Sequence, residues 1–246
     1  MSVTSMPTAT PSAPSASPTR SSPGATATPT RPSLPVSLLG RDIEAIPTSK
    51  KVVALTFDAG ANADGLASIL ATLHGRHVPA TFFLTGNWAA AHPDLVAQIA
   101  AAGHRLGNHT TTHPHLPALS DSVILSELTT ARTRIMAAGG TEPKPLFRFP
   151  FGDRTNHTIG LVNGAGYVAV RWTVDTLGWK GTSGGISAQM VVDRVVGAAK
   201  PGAIVLMHVG SNPEDHTTLD ASALPSVISN LSSLGYSFVT LDALLG

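Results

Sequence analysis

From Lys51 to its end the chain alternates short apolar runs with longer segments of helical period, and this alternation limits the fold more than any other feature. "VVALTF" (52–57) is a continuous apolar run with β-branched residues, as in a strand buried on both faces. "ADGLASILATLHG" (63–75) follows, with Leu66, Ile69, Leu70 and Leu73 at spacings of three and four, which predicts a helix. Asp64 is placed to cap its start and Gly75 to stop it. "VPATFFLTG" (78–86) then precedes "PDLVAQIAAAGH" (93–104), whose first turn carries Pro93, and "HRLGNHT" (104–110) precedes the long helical segment at 120–140. "LFRFPFG" (146–152) leads to a weak helix at 155–164, "YVAVRWTVD" (167–175) to a helix at 187–199, and "AIVLMHVG" (203–210) to a helix at 224–234, before "YSFVTLDALL" (236–245).

About seven strands, each followed by a helix, imply an α/β fold with a parallel sheet inside a layer of helices. At this length a closed or nearly closed (β/α) barrel is expected, with an open doubly wound sheet as the alternative. Both place their sites at the C-terminal ends of the strands. No G-x-G-x-x-G or Walker pattern supports nucleotide binding.

The chain ahead of this alternation differs in kind. The first 35 residues contain 8 Ser, 7 Thr and 8 Pro and lack the apolar surface to offset their ordering entropy. Residues 1–37 are therefore expected to be a disordered linker, and 38–246 one catalytic domain. A Ser/Thr/Pro-rich tether suits an extracytoplasmic enzyme, secreted or held at the wall or membrane by an anchor absent from this chain. No apolar run approaches a membrane span. A net charge of +1, without basic clusters, argues against nucleic acid. Cysteine is absent, which excludes disulfides and thiolate chemistry. The chain is expected to act as a monomer.

The predicted strand ends carry a pattern. Asp58, His109 with His113, Arg148, Asp175 and His208 each lie at or near the C-terminal end of a different apolar run. One such residue means little, whereas five sets converge on the catalytic face of a barrel. The sharpest local signal is "HTTTH" (109–113), whose two imidazoles can meet one metal ion if the segment turns. In a chain with ten histidines that spacing alone is only suggestive.

Taken in order, "TFDAG", "HTTTHPHL", "RFPFG", "VDTLGW" and "IVLMH" resemble the five motifs of the polysaccharide deacetylases, the NodB-homology domain of carbohydrate esterase family 4. The resemblance runs from Lys51 to Leu245. It implies a deformed (β/α) barrel and metal-dependent removal of N-acetyl groups from amino-sugar polymers such as peptidoglycan or chitin. An O-acetyl esterase acting on xylan or a similar polysaccharide is the alternative within hydrolases. It also implies roles: Asp58 as catalytic base, Arg148 as its partner, His109 and His113 as metal ligands, His208 as catalytic acid tuned by Asp175, and Trp179 and Leu206 as walls of the acetyl pocket.

One position departs from the family pattern. Where the family has a second, metal-binding aspartate, this chain has Ala59. Asp64 is the nearest replacement ligand, five residues on in the same loop, with Asn62 a weaker candidate and helix capping the alternative role for Asp64. The metal expected is Zn²⁺, because a histidine pair favours a borderline ion over Mg²⁺ or Ca²⁺. Ala59 also supports a reading from another class, a glycan-binding module with degraded catalysis. In the hydrolytic reading Asp58 takes a proton from water, a backbone N–H near Phe151 stabilises the oxyanion, and His208 protonates the departing amine. Trp172 is expected to pack beside its strand, and Trp88 either to pack or to line the groove. His74, His77, His92 and His157 are expected at the surface, and His104 and His115 are assigned no role.

Overall fold

The computed structural model describes residues 1–5, 34–139 and 141–246. The expected linker therefore falls, from 6 to 33, outside the described residues. The domain that follows contains β1 (Asp42–Ile43), β2 (Val52–Ala59), α1 (Leu66–Arg76), β3 (Thr81–Leu84), α2 (Gly86–Ala91), α3 (Pro93–Ala101), β4 (Arg105–Asn108), α4 (Asp121–Gly139), β5 (Leu146–Phe147), α5 (Asn156–Gly164), β6 (Val168–Val170), β7 (Val174–Asp175), α6 (Ala188–Gly197), β8 (Ala203–His208), α7 (Leu219–Ser233) and β9 (Ser237–Phe238).

The strands form one sheet in the order β1-β6-β5-β4-β3-β2-β8-β7, with β9 beside the start of β2, and every ladder in it is parallel. β2 lies inside the sheet between β3 and β8 and is buried along nearly its whole length, as its unbroken apolar run predicts. Leu66, Ile69 and Leu73 of α1 pack into the core around Val53, Leu55 and Phe57. The expected deformed barrel is present as a curled sheet. "YVAVRWTVD" is not one strand: β6 pairs with β5 and β1, whereas β7 pairs with β8 at the other end of the strand order. The three residues between them switch partners. Arg171 N–H donates to Ile43 O, and Thr173 N–H to Ile204 O. One apolar run thus serves both ends of the sheet, and periodicity carries no sign of that division.

Other differences have similar causes. α2 is six residues long and was not expected. It forms because Thr85 caps it through Trp88 N and because Trp88 is buried. Trp88 packs in the core, and its indole N–H donates to Asn62 O beneath the loop after β2. α7 starts at Leu219 and runs through Pro225. An internal proline costs about 3 kcal/mol. Burial of Leu224, Val227, Ile228 and Leu231, at roughly 1.5–3 kcal/mol each, outweighs it.

Candidate active site

The expected strand-end residues meet at one cavity of about 570 Å³. Asp58, His109, His113, Phe151, Asp175, Trp179, Leu206 and His208 all line it, together with Phe149 and Trp172. Parallel pairing explains the convergence, because register places Asp58 of β2 directly beside His208 of β8 and Asp175 beside Leu206. Trp172, expected only to pack, also faces the cavity. Arg148 stands behind the wall rather than in it and is fully buried.

Asp58 is held by Arg148, whose Nη1 donates to Oδ1 at 2.7 Å. The guanidinium is itself fixed by the carbonyls of Val170 and Arg171, at 3.2 and 2.9 Å, and lies 4.2 Å from the centre of the Phe83 ring. Burial opposes ionisation of Asp58. The charge of Arg148, aided by His109 and His208, more than offsets this and holds the carboxyl below its ordinary value. Asp58 is therefore ionised and held in one orientation.

The histidine turn is built from several anchors. Asn108 Oδ1 accepts from Thr110 N–H, while Glu127 of α4 accepts from the N–H groups of Thr111 and Thr112 at 2.8 Å. Thr110 and His113 both take left-handed backbone angles, φ 67° and 61°, as does Phe151 across the cavity at φ 59°. Such angles are costly for residues with a Cβ and persist where the surroundings impose them. The result brings His113 Nε2 to 3.1 Å from His109 Nε2, with Asp58 Oδ2 3.4 Å from the latter. His109 Nδ1 lies 2.9 Å from Arg148 O, a partner that can only accept, so Nδ1 carries the proton and Nε2 the lone pair. Burial pushes both imidazoles below the ordinary histidine value, His113 to about 4, so both are neutral at physiological pH. Two neutral imidazoles with nitrogens facing each other, one oriented by a backbone carbonyl, fit a borderline divalent ion.

The third expected ligand is elsewhere. Asp64 Oδ2 accepts a hydrogen bond from Ser211 Oγ at 2.6 Å, the residue is exposed, and it does not line the cavity. Nor does it cap α1, whose N-cap is Gly65 without a side-chain bond. Asn62 is occupied in the same way, its Oδ1 accepting from Ser211 N–H at 2.8 Å. Together they tie the loop after β2 to the loop after β8. Among the described residues, no group of three His, Cys, Asp or Glu is placed to hold a metal ion. The histidine pair thus stands with Asp58, not Asp64, as its nearest carboxylate.

Asp175 faces the cavity, but its Oδ1 accepts from Leu177 N–H at 2.8 Å. The carboxylate bonded to His208 is one the sequence reading missed. Asp220, in the first turn of α7, is 3% exposed. Its Oδ2 accepts from His208 N–H at 2.8 Å and lies 3.7 Å from His208 Nδ1, and its Oδ1 accepts from Thr176 Oγ1 at 2.7 Å. No motif marks it, and the only sequence signal is an acidic residue in a helical first turn, which a cap explains as well.

A profile of the family described as polysaccharide deacetylase matches residues 45–170. The chain is 34% identical to the peptidoglycan-N-acetylglucosamine deacetylase of Bacillus cereus, over 80% of this chain and 70% of that one. It is 35% identical to the chitooligosaccharide deacetylase of a Bradyrhizobium species, over 74% and 82% of the two chains. A crystal structure from Bacillus anthracis, described as a pseudoenzyme of carbohydrate esterase family 4, superposes with a TM-score of 0.72 at 31% identity, covering 80% of this chain and 66% of that one. The chain belongs to the polysaccharide deacetylases, the NodB-type hydrolases of carbohydrate esterase family 4.

Proposed function

We propose that this chain hydrolyses N-acetyl groups on N-acetylglucosamine polymers of the peptidoglycan or chitin type. The observation that supports it most is the meeting, at one cavity, of an Arg-held carboxylate, two facing neutral imidazoles and a separate histidine. Those are the groups that amide hydrolysis needs. The cavity is walled by Trp172, Trp179 and Phe151, whose flat apolar faces suit a sugar ring. His109 and His113 would hold a divalent ion, Zn²⁺ by their chemistry. When bound, such an ion polarises a carbonyl and lowers the pKa of bound water towards about 7.

The remaining work falls to the chain. Asp58 accepts the proton of the attacking water as the new C–O bond forms. Arg148 keeps that carboxylate ionised and stops it rotating. The Phe151 segment, held beside His113 by a ring contact of 4.5 Å, presents backbone to the developing oxyanion. His208 has Nδ1 buried toward Asp220, which leaves Nε2 for the cavity. From Nε2 it gives a proton to the nitrogen as the C–N bond breaks, and acetate and a free amine leave. Burial lowers the affinity of His208 for protons, but Asp220, Asp58 and Asp175 raise it more, so it titrates above its ordinary value. A glycan of this kind places the site of action outside the cytoplasm, and among the described residues no helix is long and apolar enough to cross a membrane.

Ala59 and the likeness to a pseudoenzyme favour one second reading, a glycan-binding domain without turnover. Acetate release from N-acetylglucosamine oligomers separates the two, measured on the full chain with added Zn²⁺ and again with chelator. Release that depends on the metal and drops roughly 10²–10⁴-fold in Asp58→Asn supports hydrolysis. Oligomer binding with no acetate released under any metal supports the binding domain.

A further inference from the structure

We propose that Asp220 is the positioning carboxylate of His208: it anchors Nδ1 of the imidazole and so directs Nε2 into the cavity. This rests on the deacetylase reading for its consequence, but its geometry stands apart from that reading. His208 Nδ1 is buried and makes no hydrogen bond at normal length, while Asp220 Oδ2 sits 3.7 Å away and already accepts the backbone N–H of the same residue. A small rotation of the imidazole closes that gap, and contacts of this kind tighten when substrate fills a site.

Three features say that the slot is built for this carboxylate. First, Thr176 Oγ1 holds Oδ1, so the group cannot swing away without losing two bonds. Second, a buried carboxylate needs a counter-charge, and among the described residues His208 is the sole ion-pair partner of Asp220. Third, position 178 is glycine. A Cβ built there would lie 2.6 Å from Asp220 Cγ, so any side chain would displace the carboxylate. Gly178 thus leaves open the space that Asp220 fills from the opposite wall. Asp175, by contrast, commits Oδ1 to the Leu177 N–H and acts on His208 only through space. The charged and titratable groups facing His208 are therefore Asp58 from β2, Asp175 from the end of β7, Asp220 from α7, and His109 and His113 from the turn after β4.

The test compares Asp220→Asn with Asp175→Asn in the full, zinc-loaded chain. His208 is followed by NMR titration of its imidazole, assigned by its loss in His208→Ala, and by the pH profile of acetate release. Asp220→Asn should lower the His208 midpoint by about one unit, a tenfold weaker hold on the proton. The basic limb of activity should move down with it and kcat above neutrality should fall, with KM little changed. A fall in kcat without any movement of the midpoint or limb would mean that Asp220 only packs, and would overturn the proposal. So would a midpoint that moves in Asp175→Asn and not in Asp220→Asn. Asp220→Ser combined with Gly178→Asp returns a carboxylate to the slot from its other wall. Recovery of the midpoint supports the proposal even if Asp220→Asn fails to fold, and a folded double variant without recovery counts against it. If the wild-type chain releases no acetate, the deacetylase reading fails while the titration still decides the role of Asp220.

Discussion

Arg148 both packs in the core and sets the charge of a neighbouring carboxylate. It is buried, yet each of its nitrogens has an acceptor, and its charge is met by Asp58. Replacing it by methionine keeps most of the volume and leaves Asp58 buried without its cation. Breaking a buried pair in this way costs about 3–5 kcal/mol, and the carboxyl then favours its protonated form. Arg148→Met should therefore lower the midpoint of urea unfolding and move the acid limb of acetate release to higher pH, whereas loss of packing alone would move only the former. At this scale the sequence was informative wherever a motif placed a residue at a strand end. Asp58, His109, His113 and His208 stand where the strand pattern put them. Asp64, expected as a replacement ligand for the vacant position at Ala59, does not face the histidines, because Ser211 from the loop after β8 satisfies its carboxylate, and no local pattern encodes that partner.

Among the elements, α4 has a task that its length and period do not suggest. Glu127 reaches from it to the histidine turn, accepting from the N–H groups of Thr111 and Thr112 and from the Thr112 hydroxyl. Two of the three residues between the imidazoles of His109 and His113 are thereby fixed. Glu127→Ala should loosen the turn without touching either imidazole. Zn²⁺ affinity, read by competition with a chromophoric chelator, should fall roughly 10–100-fold, the range for partners that orient ligands. Unchanged affinity would show that the left-handed angles at Thr110 and His113 hold the turn unaided. The fold's elements were mostly legible from apolar period, which depends on local burial. α2 and the division of "YVAVRWTVD" into β6 and β7 were not, since each depends on what the segment meets in the fold.

For the whole molecule, burial of several histidines gives stability a definite pH dependence. His104, His109 and His113 all titrate below the ordinary histidine value because burial disfavours their charged form. Each binds a proton less readily folded than unfolded, so acid favours the unfolded chain. The resulting gain in stability accumulates as pH rises from about 4, the value for His113, to the unfolded value near 6.5. His208 runs the other way. Its folded value is raised, so its contribution is present below about 6.5 and is lost as pH climbs through that raised value. Three groups act against one in the acid range. In chelator, thermal unfolding should therefore shift upward by several degrees between about pH 5 and 6.5, at roughly 2–4 °C per kcal/mol for a chain of this size. A flat profile over that interval would show that these imidazoles are more open to water than their burial implies.

By itself the sequence determined the class of fold, the end of the sheet that carries the site, the family, and most of the residues that reach the cavity. It could do so because strand period and strand ends are local, and because five short motifs in order leave little room for another arrangement. Tertiary structure decided the rest. It decided which carboxylate meets His208, since Asp220 is brought there by the packing of α7 and by the space left at Gly178. It also decided that Asp64 ties two loops together rather than facing the histidines. Those choices depend on which unsatisfied group a side chain meets across the fold, and a linear pattern holds no record of a partner that chain folding alone delivers.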